Sequence, residues 1–449
     1  MYLAYSLLLT IGLLVLIPHF IYQALAHGKY LAGLRQRLGS IPELPHSEKP
    51  VIWLHSVSVG ETQAARPLID SLQQAYPNHT LVVSTITETG QNLAKQVLAD
   101  RASSVFYFPF DWKWSVRRTL ARVKPSLVLL METELWPNFL DECAAQSIPV
   151  ALVNGRISRQ SFRRYSLISR FMKRVLRDLN LAIMQTEKDA ERIETLGVPS
   201  ERLFISGNLK FDLKESPLAG ETIEQLNQRF AFSSEVPLIL AASTHEPEER
   251  ILLESFALLR KSQRARLMIA PRHPQRFEEV ASLIQAKGFN WARRSNDPTS
   301  TDTNVDVILL DSIGELPSLY RFASICFVGG SLVDKGGHNV LEPASVGTCI
   351  VTGAHTHNFD EIVKLLLAAD GLEQLPPLAL DSAADPLAKA LAELLRDEAR
   401  RLNMGKNGLA VVAANRGSTV KTIEVLKTLI NATSSVAESQ NSLLASNVS

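Results

Sequence analysis

Short apolar runs alternate along the chain with longer stretches in which apolar residues recur every three or four positions. The short runs predict strands, and the longer stretches, such as 61–76, predict helices with one buried face. Because the strand runs are apolar at nearly every position, they indicate parallel sheets covered by helices on both faces. The first seven predicted strands are Val51–His55, Thr80–Thr85, Val105–Phe108, Leu127–Met131, Val150–Val153, Leu181–Gln185 and Leu203–Ser206.

The apolar pattern pauses over a polar stretch at 211–237 and then restarts. We therefore predict a doubly wound α/β domain over 51–212 and a second over 213–431, with a ligand cleft at their interface, outside the carboxyl ends of the strands. Helices are predicted from about 383 to 430, and the Ser-, Asn- and Ala-rich segment 432–449 indicates a disordered tail. The later predicted strands are Leu238–Ala242, Arg266–Ala270, Val307–Leu310, Ile325–Val328 and Cys349–Val351.

The N-terminal 50 residues differ from the rest, because 2–26 contains no Asp, Glu, Lys or Arg. As a helix rising ~1.5 Å per residue, such a run reaches across a ~30 Å hydrocarbon core. The basic residues Lys29, Arg35 and Arg37 follow it, which places the body of the protein in the cytoplasm at the inner membrane. A signal peptide is the alternative, since 24–26 resembles a cleavage box, but no basic residue precedes the run. We predict a membrane anchor that spans the bilayer or lies in its interface.

Composition narrows the function classes. The 449-residue chain has 47 Lys and Arg against 46 Asp and Glu, a net charge of +1, so nucleic-acid binding through a broadly basic surface is disfavoured. Its three cysteines, Cys143, Cys326 and Cys349, are far apart, which disfavours a disulfide scaffold or a cysteine zinc site.

Charged residues follow three predicted strands of the first domain. Glu61 comes after the turn residue Gly60 at a predicted helix start, where the helix dipole favours its anion; a simple capping role is the alternative. Glu132 and Glu134 end the fourth strand, where open α/β sheets hold active sites, or else they lie in a solvated turn. Lys210 follows the seventh strand and could neutralise an anionic substrate, although a surface lysine is the commoner case.

In the second domain, Arg272 and His273 follow a predicted strand, and an arginine with exposed backbone N–H groups suits a phosphate. The segment 312–316 opens a helix after the next strand. No phosphate-binding P-loop motif occurs, no Gly-x-Gly-x-x-Gly follows the first strand, and no Asp-x-Asp ends a strand, so metal-chelated sugar-nucleotide binding is not indicated. His355 and His357 are a possible metal pair, or more simply part of a polar turn.

The glycine-rich segment FVGGSLVDKGGHNVLEPA (327–344) predicts a helix that starts at His338 or Asn339. Backbone amides at a helix start bind phosphate, and Glu342, one turn further, could bind a ribose diol. A purely structural glycine turn is the alternative.

A run of basic residues without an acidic residue suggests either a solvated helix face or a surface that faces anionic lipid. The run comprises Arg156, Arg159, Arg163, Arg164, Arg170, Lys173, Arg174 and Arg177.

Taken together, the motifs resemble the 3-deoxy-D-manno-octulosonic acid (Kdo) transferases of lipopolysaccharide biosynthesis. They cover nearly the whole chain in the family's order. Two departures are small: Val340 stands where many members carry Pro, and Ile313 where Met is common. The matching motifs are HSVSVGE (55–61), METELWPN (131–138), GNLKFD (207–212), STHEPEE (243–249), APRHPQRF (270–277) and FVGGSLVDKGGHNVLEP (327–343).

The resemblance implies a GT-B glycosyltransferase without a bound metal or other cofactor, whose donor is CMP-Kdo and whose acceptor is the lipid A precursor, lipid IVA. It implies that the first domain binds the acceptor and the second the donor. By the family pattern Glu61 is the general base, and Glu132 and Lys210 stabilise the transition state. The residues that match the CMP site are Pro271, Arg272, Ile313, Gly314, Glu315, Asn339, Val340, Leu341 and Glu342.

Two other functions remain open on the sequence. One is a different enzyme of the same fold, such as a UDP-sugar epimerase, although a soluble epimerase has no need of the uncharged run 2–26. The other is a membrane-tethered binding protein without catalysis, which would not need a carboxylate at Glu61.

Overall fold

The chain forms two compact units, one made of residues 1–213 with the chain from Arg416 onward, the other of 214–415. The two predicted doubly wound halves are thereby confirmed as two parallel-sheet α/β units. The computed structural model describes residues 1–27, 33–44, 49–213, 220–233 and 235–431, so the predicted tail over 432–449 and parts of the predicted basic flank and linker lie outside the described residues.

The first unit has a sheet of seven parallel strands, and each overlaps one of the predicted runs, with ends that differ by at most two residues. They are β1 (Val51–His55), β2 (Thr80–Thr85), β3 (Ser104–Tyr107), β4 (Pro125–Met131), β5 (Val150–Gly155), β6 (Leu181–Met184) and β7 (Leu203–Ile205). The order is β3-β2-β1-β4-β5-β6-β7, with Trp53 opposite Val82 on one side and Val128 on the other. The order reverses between β1 and β4, and ligands of open α/β sheets bind at such a switch point.

Helices cover both faces of this sheet, as the continuous apolar strands predict. On one face, the buried Trp53 ring packs against Phe106 and against Phe139. On the other face, Leu54 belongs to a cluster with Leu68. The helices are α1 (Tyr2–His27), α2 (Leu34–Arg37), α3 (Val59–Ala75), α4 (Glu88–Val97), α5 (Lys113–Val123), α6 (Pro137–Ala145), α7 (Arg159–Leu167), α8 (Ser169–Leu176) and α9 (Glu187–Leu196).

The end of the chain corrects the predicted domain boundary at 431. A helix over 418–431 belongs to the first unit, not the second. Its apolar residues Ile423, Leu426 and Ile430 join the cluster of Leu54 and Leu68 beside β1. Its first turn is held by Asp212, whose carboxylate accepts hydrogen bonds from the backbone N–H groups of 417 and 419. The alternation of apolar residues predicts this helix but cannot say which sheet it covers.

One side of the N-terminal helix α1 contacts the first unit. Thr10 accepts a hydrogen bond from the Trp112 indole at 3.1 Å, and Tyr2 donates one to Asp178 at 3.0 Å. The rings of Tyr2 and Tyr5 each lie 5.8 Å from that of Phe171. Over the described part of the chain, no helix is long and apolar enough to cross a membrane, so the spanning form of the predicted anchor is not supported.

The second unit also has a parallel seven-stranded sheet. Its strands are β8 (Leu238–Thr244), β9 (Arg266–Pro271), β10 (Trp291–Arg293), β11 (Val307–Leu309), β12 (Ile325–Val328), β13 (Cys349–Thr352) and β14 (Glu373–Gln374). The order β10-β11-β9-β8-β12-β13-β14 reverses between β8 and β12. The pattern missed β10 and β14, because neither Trp291–Arg293 nor Glu373–Gln374 is a continuous apolar run.

The helices of the second unit bury one apolar face each. Ile239 of β8 and Phe327 of β12 lie in a cluster with Phe256 and Leu391. The helices are α10 (Gly220–Phe230), α11 (Glu248–Leu259), α12 (Phe277–Ala286), α13 (Leu316–Leu319), α14 (Leu341–Ser345), α15 (Asp360–Ala368), α16 (Ala384–Arg396) and α17 (Glu398–Asn415).

Candidate active site

Glu61 lies in the first turn of α3, directly after the switch-point strand β1. The Val57 N–H donates to its Oε2 at 2.7 Å, and the Ser58 hydroxyl donates to its Oε1 at 3.3 Å. In return Ser58, the N-cap of the helix, accepts a hydrogen bond from the Glu61 N–H. This reciprocal arrangement resembles a capping box, with the Val57 N–H in place of the N–H of the N-cap residue, and it holds the carboxyl group in one place. The capping role considered from the sequence is therefore present, and it does not exclude a catalytic one.

Two more carboxyl groups lie at the end of β4, the strand on the other side of the switch point. Glu132 has a φ of 54°, a left-handed conformation that is uncommon outside glycine and that is often found at functional sites. Its N–H donates to the Val153 carbonyl at 3.0 Å, which ties the turn to β5. Glu134 accepts a hydrogen bond from the Trp136 indole at 3.0 Å. The two predicted strand ends thus bring their carboxylates to one place in the unit.

The charge of this cluster changes the expected state of Glu61. Burial, the nearby Glu132 and the nearby Glu134 raise its pKa to about 8, although the Val57 N–H and the Ser58 hydroxyl act in the opposite direction. Burial also raises the pKa of Glu134 to about 7. The prediction that the helix dipole keeps Glu61 ionised at neutral pH is therefore wrong. Desolvation and two like charges outweigh a dipole effect of ~1 kcal/mol.

Lys210 lies in a short 3₁₀ turn, Leu209–Asp212, that follows β7. The Leu209 N–H donates to the Asn154 side chain at 3.0 Å, and the turn packs against α3, the helix that begins beside Glu61. The structure therefore places the predicted lysine on an element that contacts the helix of the predicted base.

In the second unit, Pro271 is the buried last residue of β9 and Arg272 is exposed directly after it. The Arg272 N–H donates to the Thr244 carbonyl at the end of β8. The charged side chain thus lies at the strand next to the switch point, as predicted. His273 follows on the same loop.

The loop after β11 carries the predicted segment 312–316. The Ile313 side chain is 82% exposed. Gly314 has a φ of 89°, which favours glycine at this position. Arg294 holds the Glu315 carboxylate with two hydrogen bonds of 3.0 and 2.8 Å. The loop therefore presents an exposed apolar side chain beside a fixed ion pair.

The glycine-rich segment differs from the prediction in where its helix begins. Helix α14 starts at Leu341, not at His338 or Asn339, and it has five residues. Val340 and Leu341 are buried in the core. Asn339 and Tyr320 donate hydrogen bonds of 3.0 Å to the Glu342 carboxylate.

Glu248, in the first turn of α11, has a structural role that sequence reasoning missed. Its buried carboxylate accepts hydrogen bonds of 2.7, 3.0 and 2.9 Å from the backbone N–H groups of Gly330, Ser331 and Leu332. Amides after a Gly-Gly pair could bind a phosphate, but here a carboxylate of the protein already uses them. The Glu-Glu pair in the motif STHEPEE was the available signal, since it follows a strand and opens a helix.

His355 and His357, the possible metal pair, both face Asp334, with nitrogen–oxygen distances of 3.5 and 3.6 Å. Within the described ranges, no group of three or more His, Cys, Asp or Glu residues is arranged to hold a metal ion.

The fold is shared with a protein of known structure. The UDP-GlcNAc 2-epimerase of Neisseria meningitidis matches with a TM-score of 0.56 and 16% identity, over 84% of this chain and all of its own, which shows the fold alone.

The family is shown by sequence. The profile of the 3-deoxy-D-manno-octulosonic-acid transferases (kdotransferases) matches residues 32–213. The 3-deoxy-D-manno-octulosonic acid transferase of Haemophilus influenzae is 38% identical over 89% of this chain and 92% of its own. That of Bordetella pertussis is 34% identical over 84% of this chain and 86% of its own. The protein is therefore a glycosyltransferase, and it belongs to the 3-deoxy-D-manno-octulosonic acid transferase family.

Proposed function

We propose that the enzyme is an inverting transferase that moves Kdo from CMP-Kdo to the lipid A precursor (lipid IVA), with Glu61 as the general base. The observation that carries this proposal is the group of three carboxyl groups at the switch point of the first unit. The pKa of about 8 at Glu61 suits a base that works near neutral pH, because efficient proton transfer needs a pKa near the working pH.

In the proposed reaction a sugar hydroxyl of the acceptor attacks the anomeric carbon of the donor. Glu61 takes the hydroxyl proton as the new C–O bond forms. The bond between the anomeric carbon and the phosphate oxygen breaks, and its electron pair leaves with CMP. Glu132 and Lys210 stabilise the transition state, as the family pattern implies.

The second unit offers suitable groups for the donor. The exposed Ile313 side chain provides an apolar surface for the cytosine ring. Arg272 provides a cation for the phosphate, and the Asn339–Glu342 turn is rigid because Glu342 is held by two hydrogen bonds. The backbone of Gly314 and Glu315 completes the loop beside Ile313. We therefore propose that CMP binds at the loops after β9, β11 and β12.

An apolar cavity supports an acceptor with acyl chains. It has a volume of about 150 Å³ and lies between α1 and the loop after β3, with Leu9, Leu13, Phe108 and Trp136 among its lining residues. Trp136 also donates to Glu134 of the carboxyl cluster, so the cavity adjoins the proposed acceptor site.

The same unit has a surface suited to anionic lipid. The outward face of α1 exposes apolar side chains such as Leu7 and Leu14, and the junction of α7 and α8 exposes Leu167 and Ile168. The predicted basic run flanks this junction, and most of its side chains are exposed. Apolar side chains beside exposed cations are typical of proteins that lie on a membrane interface. We propose that the protein binds the inner membrane through this surface, with its two units in the cytoplasm.

The activity is tested by incubating the protein with CMP-Kdo and a lipid A precursor, and by counting the added Kdo residues by mass spectrometry. We expect Kdo addition, and a large loss of transfer with retained CMP binding in Glu61→Gln. A protein that binds CMP but never transfers Kdo would instead be a binding protein. Release of free sugar or conversion of a UDP-sugar without transfer would favour another enzyme of this fold.

Membrane binding is tested by flotation with vesicles that contain anionic lipid. Leu167→Asp should weaken binding, because it places a charge at the junction that enters the interface. Leu402→Asp is the matched control, since Leu402 is an exposed leucine of the second unit. Charge reversal at Arg163 and Arg164 should remove a salt-sensitive part of the binding. Equal flotation of the Leu167 variant and its control would contradict the proposed surface.

A further inference from the structure

Two histidines meet at the switch point of the second unit. His245 follows β8, and His338 lies in the loop after β12, the neighbouring strand across the reversal in strand order. Their Nε2 atoms are 2.8 Å apart, and their rings are nearly parallel, with an interplanar angle of 8°. At this distance one Nε2 donates its hydrogen and the other accepts it. A ligand-binding crevice of this fold is expected at this place.

The backbone is built closely around the pair. Gly330 has a φ of 67°, and a Cβ added there would lie 3.1 Å from the His338 ring. A Cβ at Gly329 would lie 2.6 Å from the Ser243 carbonyl oxygen. Glycine at both positions therefore lets the loop after β12 approach the loop after β8 closely enough for the two rings to meet.

The side chains that surround the pair are mainly cationic. The ring of His273 lies 5.2 Å from that of His245. Burial, with His273, Lys335, Arg272 and Arg276, lowers the pKa of His245 to about 4. Burial, with Arg272 and the other two histidines, lowers the pKa of His338 to about 3. Both pKa values lie below 7, so the pair is neutral at pH 7, and the charged side chains that lower them are cationic.

The nearby carboxylates, Glu248 and Glu249, already have other partners. Glu248 accepts hydrogen bonds from the backbone N–H of His245 and from three backbone amides of the loop after β12. Glu249 accepts one from the Thr244 hydroxyl and lies 3.5 Å from Arg276. Within the pair, the Nε2 lone pair of one ring accepts the hydrogen of the other ring. This hydrogen bond does not favour a metal ion at the Nε2 atoms. An anion is the ligand that would balance the positive charge around the pair.

We propose that His245 and His338, with His273 beside them, form a subsite for an anionic group of the donor, a phosphate or a carboxylate, and that the pair takes up one proton when the anion binds. This inference rests on the proposed function, because it takes the bound molecule to be the donor. When the bond from the anomeric carbon to the phosphate oxygen breaks, the oxygen keeps the electron pair. The protonated pair gives its proton to that oxygen and becomes neutral again.

The test measures proton uptake by titration calorimetry at pH 7, in buffers that differ in ionisation enthalpy. Wild-type protein should take up about one proton with CMP and none with cytidine, which lacks the anion. His245→Gln and His338→Gln should lose the uptake and bind CMP about tenfold or more weakly, because a charge-assisted hydrogen bond is lost. Cytidine binding should not change. His355→Gln is the control, since His355 contacts Asp334 on the surface of the same unit.

The two sources of the anion are distinguished by the ligands. Uptake with CMP but not with free Kdo assigns the phosphate, and uptake with free Kdo alone assigns the carboxylate. Should either variant fail to fold, the ring protonation of the wild-type histidines is followed by nitrogen NMR with and without CMP, and a new imidazolium supports the proposal.

Two results would overturn it. Binding of both CMP and free Kdo without proton uptake, or unchanged affinity for both ligands in both variants, removes the subsite and leaves the proposed transferase function intact. A wild-type protein that binds neither CMP nor CMP-Kdo removes the proposed function and the subsite with it.

Discussion

The pKa of Glu61 leads to a specific prediction about the effect of pH on transfer. A general base acts in its deprotonated form, so kcat/KM should rise with pH and reach half its maximum near pH 8. At pH 7, one unit below that pKa, about one-tenth of the free enzyme carries Glu61 as a carboxylate. The ordinary glutamate value of 4.5 would instead give a rate that is constant across the neutral range.

The rise of kcat/KM with pH forms the acidic limb of the pH profile. Removing a neighbouring charge should move this limb in a known direction. Glu132 is the largest charge that raises the pKa of Glu61, and only burial has a greater effect. Glu132→Gln keeps the shape and removes the charge, so the pKa should fall by ~1 unit. The fraction of Glu61 ionised at pH 7 would then rise from about one-tenth to about one-half. Glu134→Gln should cause a smaller shift in the same direction, because its effect on Glu61 is smaller.

The assay is kcat/KM for Kdo transfer between about pH 6 and about pH 9.5, where the limb lies. Glu61→Gln should lower kcat by ~10²-fold or more and abolish the limb, with CMP affinity nearly unchanged. Glu132→Gln should shift the limb to lower pH, even if its plateau also falls because Glu132 positions the substrate. The position of the limb and the height of the plateau thus separate the two effects.

Thermal unfolding is the control that shows whether the variants fold correctly. The folded-state pKa of Glu61 is raised above its unfolded value of 4.5, so the stability that it contributes is lost as pH rises from about 4.5 through about 8. Glu61→Gln should therefore have a Tm at pH 9 that is at least as high as that of the wild type. Near-normal kcat in Glu61→Gln would refute the reasoning, as would a limb that only Glu132→Gln removes or that stays at the same pH in Glu132→Gln.

Further predictions follow from both units. CMP should slow hydrogen exchange at 271–272, 313–315 and 339–342, measured by mass spectrometry, and protection confined to the first unit would contradict the donor assignment. Transfer should continue in excess EDTA, since no Asp-x-Asp motif ends a predicted strand; a loss that only Mg²⁺ or Mn²⁺ restores would contradict this. Asp212→Asn should lower the free energy of unfolding by ~1–2 kcal/mol, measured in urea, because the carboxylate accepts two backbone hydrogen bonds at the start of the helix over 418–431. An unchanged midpoint would show that the helix does not depend on them.

The pattern of the chain was sufficient for the strands that lie inside each sheet. Buried parallel strands need apolar side chains on both faces, so runs such as Val51–His55 and Ile325–Val328 could be predicted as strands. The carboxylates at strand ends could be predicted for the same reason, because the carboxyl ends of parallel strands lie at one edge of a sheet. The edge strands β10 and β14 escaped the pattern, since neither contains a continuous apolar run.

The sequence by itself determined the two α/β units, the family and the positions of Glu61, Glu132 and Arg272 at strand ends, because all of these depend on local pattern and ordered motifs. Only the tertiary structure decided the protonation state of Glu61, which depends on burial and on carboxylates some 70 residues away along the chain. It also decided that the helix over 418–431 covers the first sheet, and that His245 meets His338. These are contacts between distant segments, and a local pattern carries no information about which distant segments will meet.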